Sequence, residues 1–227
     1  MSDTVYTDPI ASDTFDVKTF EMIQENLLFT ARCKEPSGDV MRHVWVCKLT
    51  TENITKLWEK FSQFPLLFGY NLRSRDDFLN YFLDLKGNQI VTKGIFFVID
   101  DFVGVYYMSD IVLSEDAVVH YSFFDRRHHG RVELTKAMIK YVFENYGFQR
   151  LTTWIPMNTA QHRDNPKFIN AFQFAKSVGF QYEGRKRKCI KFKGEWFDMK
   201  LYGILRDEVL VAGHDKPQEE VKNESES

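Results

Sequence analysis

The stretch Arg126-Arg127-His128-His129-Gly130-Arg131 says more about the fold than any other part of this 227-residue chain. It follows a predicted strand at residues 117–124 and opens a strongly periodic helix at residues 131–146. A short loop between a strand and a helix N-terminus exposes backbone N–H groups, and the helix dipole adds partial positive charge, so such a loop suits phosphate. Gly130 lets the backbone approach a ligand closely or adopt a positive φ. The stretch therefore predicts an anion-binding loop.

Strands and helices alternate around this loop in the predicted order β-α-α-β-β-β-α-β-α-β-β. The apolar spacing predicts helices at 53–64, 76–85, 131–146 and from Asn165-Pro166 to Gly179, and strands at 44–49, 94–99, 102–108, 117–124, 151–155, 181–192 and 196–205. Asp100-Asp101 predicts a tight hairpin between two of these strands. The mixed order favours an α/β fold with helices on both faces of one sheet. A ligand is expected at the splayed centre of that sheet, near the loop after residue 124.

The two ends of the chain differ from the middle. The predicted domain occupies residues 43–210, and residues 1–42 are predicted to be a partly disordered N-terminal extension. Within that extension, Phe20, Ile23, Leu27 and Leu28 have the spacing of a short amphipathic helix. Residues 211–227 are charged and nearly devoid of apolar side chains, which predicts a disordered tail.

The composition narrows the class of protein. A formal net charge of −2 gives the molecule no strong attraction for nucleic acid or anionic membrane. The three cysteines form no metal-spaced pair and no disulfide framework, which favours a reducing compartment. Adjacent histidines such as His128 and His129 point in different directions, so no metal site is predicted. Without a signal peptide or an apolar run of roughly 18 residues, we expect a cytoplasmic protein with no membrane partner.

A second pattern lies downstream of the loop and carries a resemblance to a known family. It consists of Gly179-Phe180, Glu183-Gly184, Arg187, Gly194, Trp196, Asp198, Tyr202 and Leu205. Their order and spacing resemble the terminal pattern of the ribosomal-protein N-terminal acetyltransferase branch of the GNAT (GCN5-related) N-acetyltransferase superfamily. The loop is similar to that superfamily's (Gln/Arg)-x-x-Gly-x-(Gly/Ala) signature at Arg127 and Gly130, with Val132 at the last position. The resemblance covers roughly residues 90–208. It implies a single GNAT-like domain, with a mixed, mostly antiparallel sheet flanked by helices.

The resemblance also implies an activity and its cosubstrate. Members transfer an acetyl group from acetyl-CoA to an amine, here a protein N-terminus, a lysine or a small molecule. The implied cosubstrate-binding residues are Phe123, Phe124 and Asp125 along the pantetheine arm, Arg127, His128, His129, Gly130, Arg131 and Val132 around the pyrophosphate, and Asn165 and Asn170 as donors on the following helix.

Two residues are candidates for the catalytic base. Glu183 stands at the glutamate of the terminal pattern, which the resemblance links to that role. The alternative is that Glu183 shapes the turn into the last hairpin or pairs with Arg185 or Arg187. His120 lies on the strand that leads into the loop, and imidazole titrates near neutrality. The alternative for His120 is a surface histidine or a hydrogen-bonded core histidine.

Two other functions stay open at this point. Position 175, where many superfamily members carry a tyrosine acid, holds alanine, and position 171, where members of the branch carry a serine, holds alanine as well. Together with Val132 these residues are compatible with a catalytically inactive GNAT-fold binding or structural protein. The basic run Arg185-Lys186-Arg187-Lys188 with neighbouring aromatics suggests a nucleic acid partner, and acylation of an amine on a nucleic acid base. The alternative is a solvated hairpin.

Overall fold

The computed structural model describes residues 27–35, 38–48, 50–63, 74–86, 89–124, 130–157, 166–192 and 194–211. Ten strands and five helices lie in this part of the chain. The strands are β1 Leu27–Glu35, β2 Gly38–Val46, β3 Leu83–Lys86, β4 Gln89–Thr92, β5 Ile95–Ile99, β6 Gly104–Val112, β7 Asp116–Phe123, β8 Arg150–Met157, β9 Gln181–Phe192 and β10 Glu195–Leu205. The helices are α1 Thr51–Ser62, α2 Arg75–Phe82, α3 Arg131–Tyr146, α4 Pro166–Val178 and α5 Arg206–Leu210.

Eight of these strands form one sheet in the order β1-β2-β5-β6-β7-β8-β10-β9. The pairing between β7 and β8 is parallel, and every other recorded pair in the sheet is antiparallel. Strands β3 and β4 form a separate two-stranded hairpin. The structure thus confirms the predicted mixed, mostly antiparallel sheet.

Helices cover both faces of the sheet, as the predicted element order requires. Strand β5 shows this directly, because all five of its residues are buried. Ile95, Phe97 and Ile99 pack into one apolar cluster with α3 and α4, whereas Phe96 and Val98 pack into another with α1 and α2. A strand that is covered on both faces reads as a continuous apolar run instead of an alternating one.

The N-terminal part of the sheet differs from the prediction. The helical spacing proposed for Leu27 and Leu28 is wrong, because both residues lie in β1. Phe20 and Ile23 lie outside the described residues. Strands β1 and β2 pair over residues 27–45, so the sheet begins N-terminal of the boundary predicted at residue 43. Four apolar residues are compatible with either period in so short a window, and pairing with β2 decides the outcome.

The other predicted elements are present with shifted ends, and the largest shift is at β2, which begins at Gly38 and not at residue 44. Strand β4 and helix α5 have no predicted counterpart. Helix α2 ends at Phe82, and Leu83 to Lys86 form β3 instead of continuing the helix to residue 85. The hairpin at Asp100-Asp101 is confirmed, with Asp100 at a φ of 45°. Helix α4 begins at Pro166 as predicted. Asn165, the predicted cap residue, lies outside the described residues.

Helix α3 begins and ends at a glycine with nearly the same backbone conformation. Gly130 has φ 72° and ψ 6°, and Gly147 has φ 73° and ψ 6°. The two positions differ in the space around them. A Cβ added at Gly130 would lie 2.5 Å from the Cβ of Cys33 on β1, whereas one added at Gly147 would lie 4.0 Å from its nearest neighbour, Ser114 Oγ. Gly130 is therefore required both by its positive φ and by the close approach of β1.

This pair of glycines gives a matched test of how tightly β1 holds the start of α3. Gly147→Ala introduces only the unfavourable φ, which destabilises by about 1 kcal/mol. Gly130→Ala adds the overlap with Cys33, and we expect a total loss of about 2–4 kcal/mol. Urea unfolding of both variants measures the difference. Equal losses would show that β1 moves away from Gly130 at little cost.

Candidate active site

The sheet opens between its two central strands. Strand β7 pairs with β8 at only three positions, Asp116↔Arg150, Ala117↔Leu151 and Val118↔Thr152. Beyond them β7 stays on β6 as far as Phe123, and β8 stays on β10 as far as Met157. The facing edges of residues 119–123 and 153–157 therefore have no ladder pairing with each other. We call this opening the wedge. It is the splayed centre that the sequence predicts.

The start of α3 lies beside the wedge, because Arg131 lies over the ring of Phe174, and that ring packs against Phe123 of β7. Residues 125–129 lie outside the described residues, which leaves the placement of Asp125, Arg127, His128 and His129 as predicted from the sequence. Gly130 follows as the N-cap residue of α3, and no side chain caps the helix there. The first N–H groups of an α-helix have no partner within the helix, so this end of α3 suits an anion.

The described cosubstrate-binding candidates lie on both faces of the sheet. The ring of Phe123 packs against Phe174 of α4 at 5.9 Å, and Phe124 is buried on the other face against Phe61 at 5.0 Å. Arg131 lies over the Phe174 ring at 5.8 Å. The side chain of Val132 packs against the core cluster of α3 and α4. A branched side chain at position 132 is thus accommodated by the core.

Helix α4 borders the wedge on the same side as α3. Ala175 is fully buried, and Ala171 packs against the core. Neither alanine carries a hydroxyl that could act as an acid. The backbone of Asn170 lies in α4, whereas its side chain and all of Asn165 lie outside the described residues. The proposed donor role of these two asparagines stays a prediction.

His120 lies on β7 opposite Tyr107 of β6 and faces the α1 and α2 side of the sheet. Its ring stacks on that of Tyr107 with 5.6 Å between centroids, and its Nε2 lies 3.3 Å from the Ser109 hydroxyl. Burial lowers the pKa of His120 to about 4, and the charge of Asp110 opposes this shift in part. The imidazole is therefore neutral at physiological pH. Its surroundings fit the alternative of a hydrogen-bonded core histidine better than that of a surface histidine.

Glu183 belongs to a polar cluster where β7 and β8 are still paired. Its carboxylate forms an ion pair with Arg150, the first residue of β8. Arg185, one of the two alternative partners, instead pairs with Asp198 across the last hairpin. Gly203 leaves the room for this pair, since a Cβ there would lie 2.4 Å from Glu183 Oε1.

Asp116 joins the same cluster and was not indicated by the sequence pattern. The Thr152 hydroxyl donates to its carboxylate at 3.1 Å, and Arg150 Nε lies 3.9 Å from Oδ2. Burial raises the pKa of Asp116 and the nearby charge of Glu183 adds to the rise, while Thr152 and Arg150 oppose it. The only signal in the sequence was an aspartate at the start of the strand that leads into the loop. Two carboxylates thus share one guanidinium beside the wedge.

The basic hairpin formed by β9 and β10 has part of its positive charge neutralised by an acidic residue of its own. Asp198 on β10 accepts a hydrogen bond from the Lys188 N–H at 2.7 Å and pairs with Arg185, and these contacts lower its pKa. Lys186 lies over the Trp154 ring at 5.7 Å. Two cations of the predicted nucleic acid surface are therefore engaged by other residues of the chain.

Neither a metal cluster nor a membrane span is found in the described part of the chain. No group of three or more histidine, cysteine, aspartate or glutamate side chains is placed to hold a metal ion there. No described helix combines the length and the apolar character needed to cross a membrane.

Comparison with known proteins agrees with this geometry. Residues 78–201 match the family model "Acetyltransferase (GNAT) domain". The match spans more than half of the chain, which therefore belongs to the GNAT acetyltransferase family. No curated protein matches the chain.

Solved structures share the fold at low sequence identity. A probable GNAT-family acetyltransferase from Chromobacterium violaceum has a TM-score of 0.56 at 19% identity, covering 89% of this chain and 98% of its own. A spermidine N-acetyltransferase from Vibrio cholerae gives 0.55 at 16% identity, covering 75% and 98%. A ribosomal-protein-S5-alanine acetyltransferase from Vibrio fischeri gives 0.52 at 16% identity, covering 73% and 93%. These likenesses establish the fold.

The lowered pKa of His120 predicts a pH dependence of stability. In the unfolded chain His120 takes up a proton as the pH falls below its unfolded pKa of about 6.5. The folded state does not, so the free energy of unfolding decreases as the pH falls, until the folded pKa is passed. With a folded pKa of about 4, the loss between pH 7.5 and pH 5 is about 2 kcal/mol. Urea unfolding at both pH values checks this, with His120→Gln as the variant that lacks the contribution. Identical losses in both proteins would contradict it.

Proposed function

We propose that the protein transfers an acetyl group from acetyl-CoA to an amine. The observation that carries this proposal is the wedge, together with the uncapped start of α3 at its mouth. An open strand edge can pair with the amides of a pantetheine arm, and helical N–H groups can receive a diphosphate. The residues present fit acetyl-CoA, because the wedge leaves backbone groups of both strands without ladder partners and Gly130 keeps the helix start free of a side chain.

In this proposal each part of the cosubstrate has its own residues. Phe123, Phe124 and Asp125 line the arm, the segment from Arg127 to Val132 surrounds the diphosphate, and Asn165 and Asn170 donate from the start of α4. His128 and His129 flank the diphosphate from the same segment. The membership of the family supports this arrangement, and the described part of the chain offers the strand edge and the helix start that it requires.

The base is proposed to come from the face of the sheet that carries α1 and α2. Glu183 stays the first candidate, and Asp116 becomes a second, since the raised pKa of Asp116 makes its carboxylate a better proton acceptor. His120 is the third candidate, and its lowered pKa makes the imidazole a weaker base. Two carboxylates around one guanidinium leave a net negative charge beside the wedge, which attracts an ammonium group.

The acceptor class follows from this charge and from the relatives. One structural neighbour is named for spermidine and another for the alanine of a ribosomal protein. We propose an amine of either kind for this chain, whether a protein N-terminus, a lysine or a small polyamine. The engaged cations of the basic hairpin give no support to a nucleic acid acceptor. A cytoplasmic location stays our expectation, since none of the three cysteines forms a disulfide.

Cosubstrate binding is the first test. Titration calorimetry with acetyl-CoA is expected to give a dissociation constant in the micromolar range, about −8 kcal/mol. Gly130→Asp adds a negative charge at the start of α3, where the diphosphate is proposed to bind, and we expect it to abolish binding. Gly130→Ala introduces the same backbone strain and the same overlap with Cys33 without the charge, so binding is expected to persist in this control. Thermal melting must show that both variants are folded at the temperature of titration.

Absence of binding to the wild-type protein at millimolar acetyl-CoA would contradict the proposed function. The fold would then serve a binding or structural role, as Val132, Ala171 and Ala175 allow. Binding that survives Gly130→Asp would remove the loop from the proposal while leaving the wedge in place.

Turnover in three variants identifies the base. Removing a general base is expected to lower kcat by about 100-fold without changing acetyl-CoA affinity. We expect this for Glu183→Gln, with a smaller loss for Asp116→Asn and the smallest for His120→Gln. Asp198→Asn is the matched control, because it removes another ion-paired carboxylate from the same hairpin. Stopped-assay kinetics with a peptide N-terminus, a lysine peptide and spermidine measure the effect. An unchanged kcat and pH–rate profile in Glu183→Gln would exclude Glu183 as the base.

A further inference from the structure

One buried hydroxyl at the wedge has no place in the machinery described so far. Tyr121 lies on β7, three residues beyond the last position that pairs with β8. Its hydroxyl oxygen is buried, and no described residue gives it a hydrogen bond of standard geometry. A buried polar group without a partner destabilises a protein by about 1–3 kcal/mol. Such a group therefore calls for an explanation, and a missing ligand is one.

The neighbours of Tyr121 place this hydroxyl across the wedge. The Thr153 hydroxyl on β8 lies close enough to the Tyr121 hydroxyl to oppose part of the rise in its pKa, although the two do not form a hydrogen bond of standard geometry. Val119 and Thr153 are the first residues beyond the paired registers of the two strands. The Tyr121 side chain thus reaches from β7 towards β8 at the level where the two strands begin to separate.

The surroundings of the phenol are apolar. Its ring packs against Phe174 of α4 with 5.0 Å between centroids. The same ring borders a small cavity under the sheet, lined also by Val119, Met138 and Ile139. Burial raises the pKa of Tyr121 far above its ordinary value. The phenol therefore keeps its proton, and a hydrogen bond that it donates in this setting is stronger than one in water.

The neighbouring strand supplies a built-in comparison. Tyr106 of β6 is paired with Tyr121 in the sheet register, so the two side chains project from the same face. The Tyr106 hydroxyl has a partner inside the core, the Thr135 hydroxyl at 2.9 Å, which in turn donates to the Arg131 carbonyl at 2.7 Å. The two phenols are adjacent on one face, but the Tyr106 hydroxyl is hydrogen-bonded to α3, whereas the Tyr121 hydroxyl has no such partner among the described residues.

We infer that the Tyr121 hydroxyl, held in place by Thr153, donates a hydrogen bond to the thioester carbonyl oxygen of bound acetyl-CoA, an inference that rests on the proposed function. When an amine nitrogen forms its bond to the carbonyl carbon, the C=O π pair moves onto oxygen, and this oxygen carries the negative charge. The pair returns as the C–S bond breaks with its electrons on sulfur, and the proton lost by the amine balances the thiol product. A donor preorganised at that oxygen stabilises the charge when it develops.

The direct test is spectroscopic and needs no acceptor. Difference infrared spectra with acetyl-CoA carrying ¹³C in the carbonyl report the carbonyl band of the bound thioester. We expect a shift to lower wavenumber in the wild-type protein, its loss in Tyr121→Phe and its retention in Tyr106→Phe. Thr153→Val is expected to reduce the shift, and Thr153→Ser to restore it. Tyr121→Phe removes only the hydroxyl, and melting curves verify that each variant is folded.

Kinetics give a second readout that a packing role would not produce. We expect Tyr121→Phe to lower kcat by about 100-fold with little change in acetyl-CoA affinity, as found when one oxyanion donor is removed. Tyr106→Phe is expected to leave kcat unchanged.

The failures of the two proposals are distinguishable. If the wild-type protein binds acetyl-CoA and its carbonyl band equals that of Tyr121→Phe, the role of Tyr121 is overturned and the proposed function stands. If the wild-type protein binds no acetyl-CoA, the proposed function fails and the role of Tyr121 fails with it.

Discussion

The separation of β7 from β8 is the constraint on which the rest of the structure depends. Strand β7 pairs with β6, and β8 pairs with β10, up to the open end of the wedge. Each half of the sheet therefore has its own ladder of backbone hydrogen bonds. Three shared registers are enough to hold the halves together. The opening is thus part of the pairing pattern of the sheet.

This constraint also explains where polar chemistry is tolerated in the sheet. Side chains alternate between faces along a strand, so β7 sends Tyr121 and Phe123 towards α3 and α4, and Asp116 and His120 towards the other face. Where the helices cover the sheet, polar groups are buried with hydrogen-bonding neighbours, as His120 is beside Ser109. Farther along the sheet, on β8 and β9, Arg150 and Glu183 keep partial access to solvent.

Periodicity predicted the elements whose pattern is local and left out those decided by distant partners. Helix α3, the hairpin at Asp100-Asp101 and the last two strands all carry their signal within a short window. Strand β1 does not, since its identity as a strand comes from pairing with β2. The partner of Glu183 could not be read from spacing either, because Arg150 is 33 residues away and is brought close by the register of β8, β10 and β9. The loop signature located the helix start, while Asp116 and Tyr121 became visible only through their surroundings.

The contact between Gly130 and Cys33 links two segments that are far apart in the chain. One belongs to a strand at the sheet edge and the other to the start of α3, and the space between them admits no additional carbon atom. A side chain fits at position 130 only if β1 lies farther from α3 or carries a smaller residue at position 33. Among relatives of this protein these two positions are therefore expected to covary. The edge strand, although far from residues 126–131 in sequence, restricts how the predicted anion-binding loop can evolve.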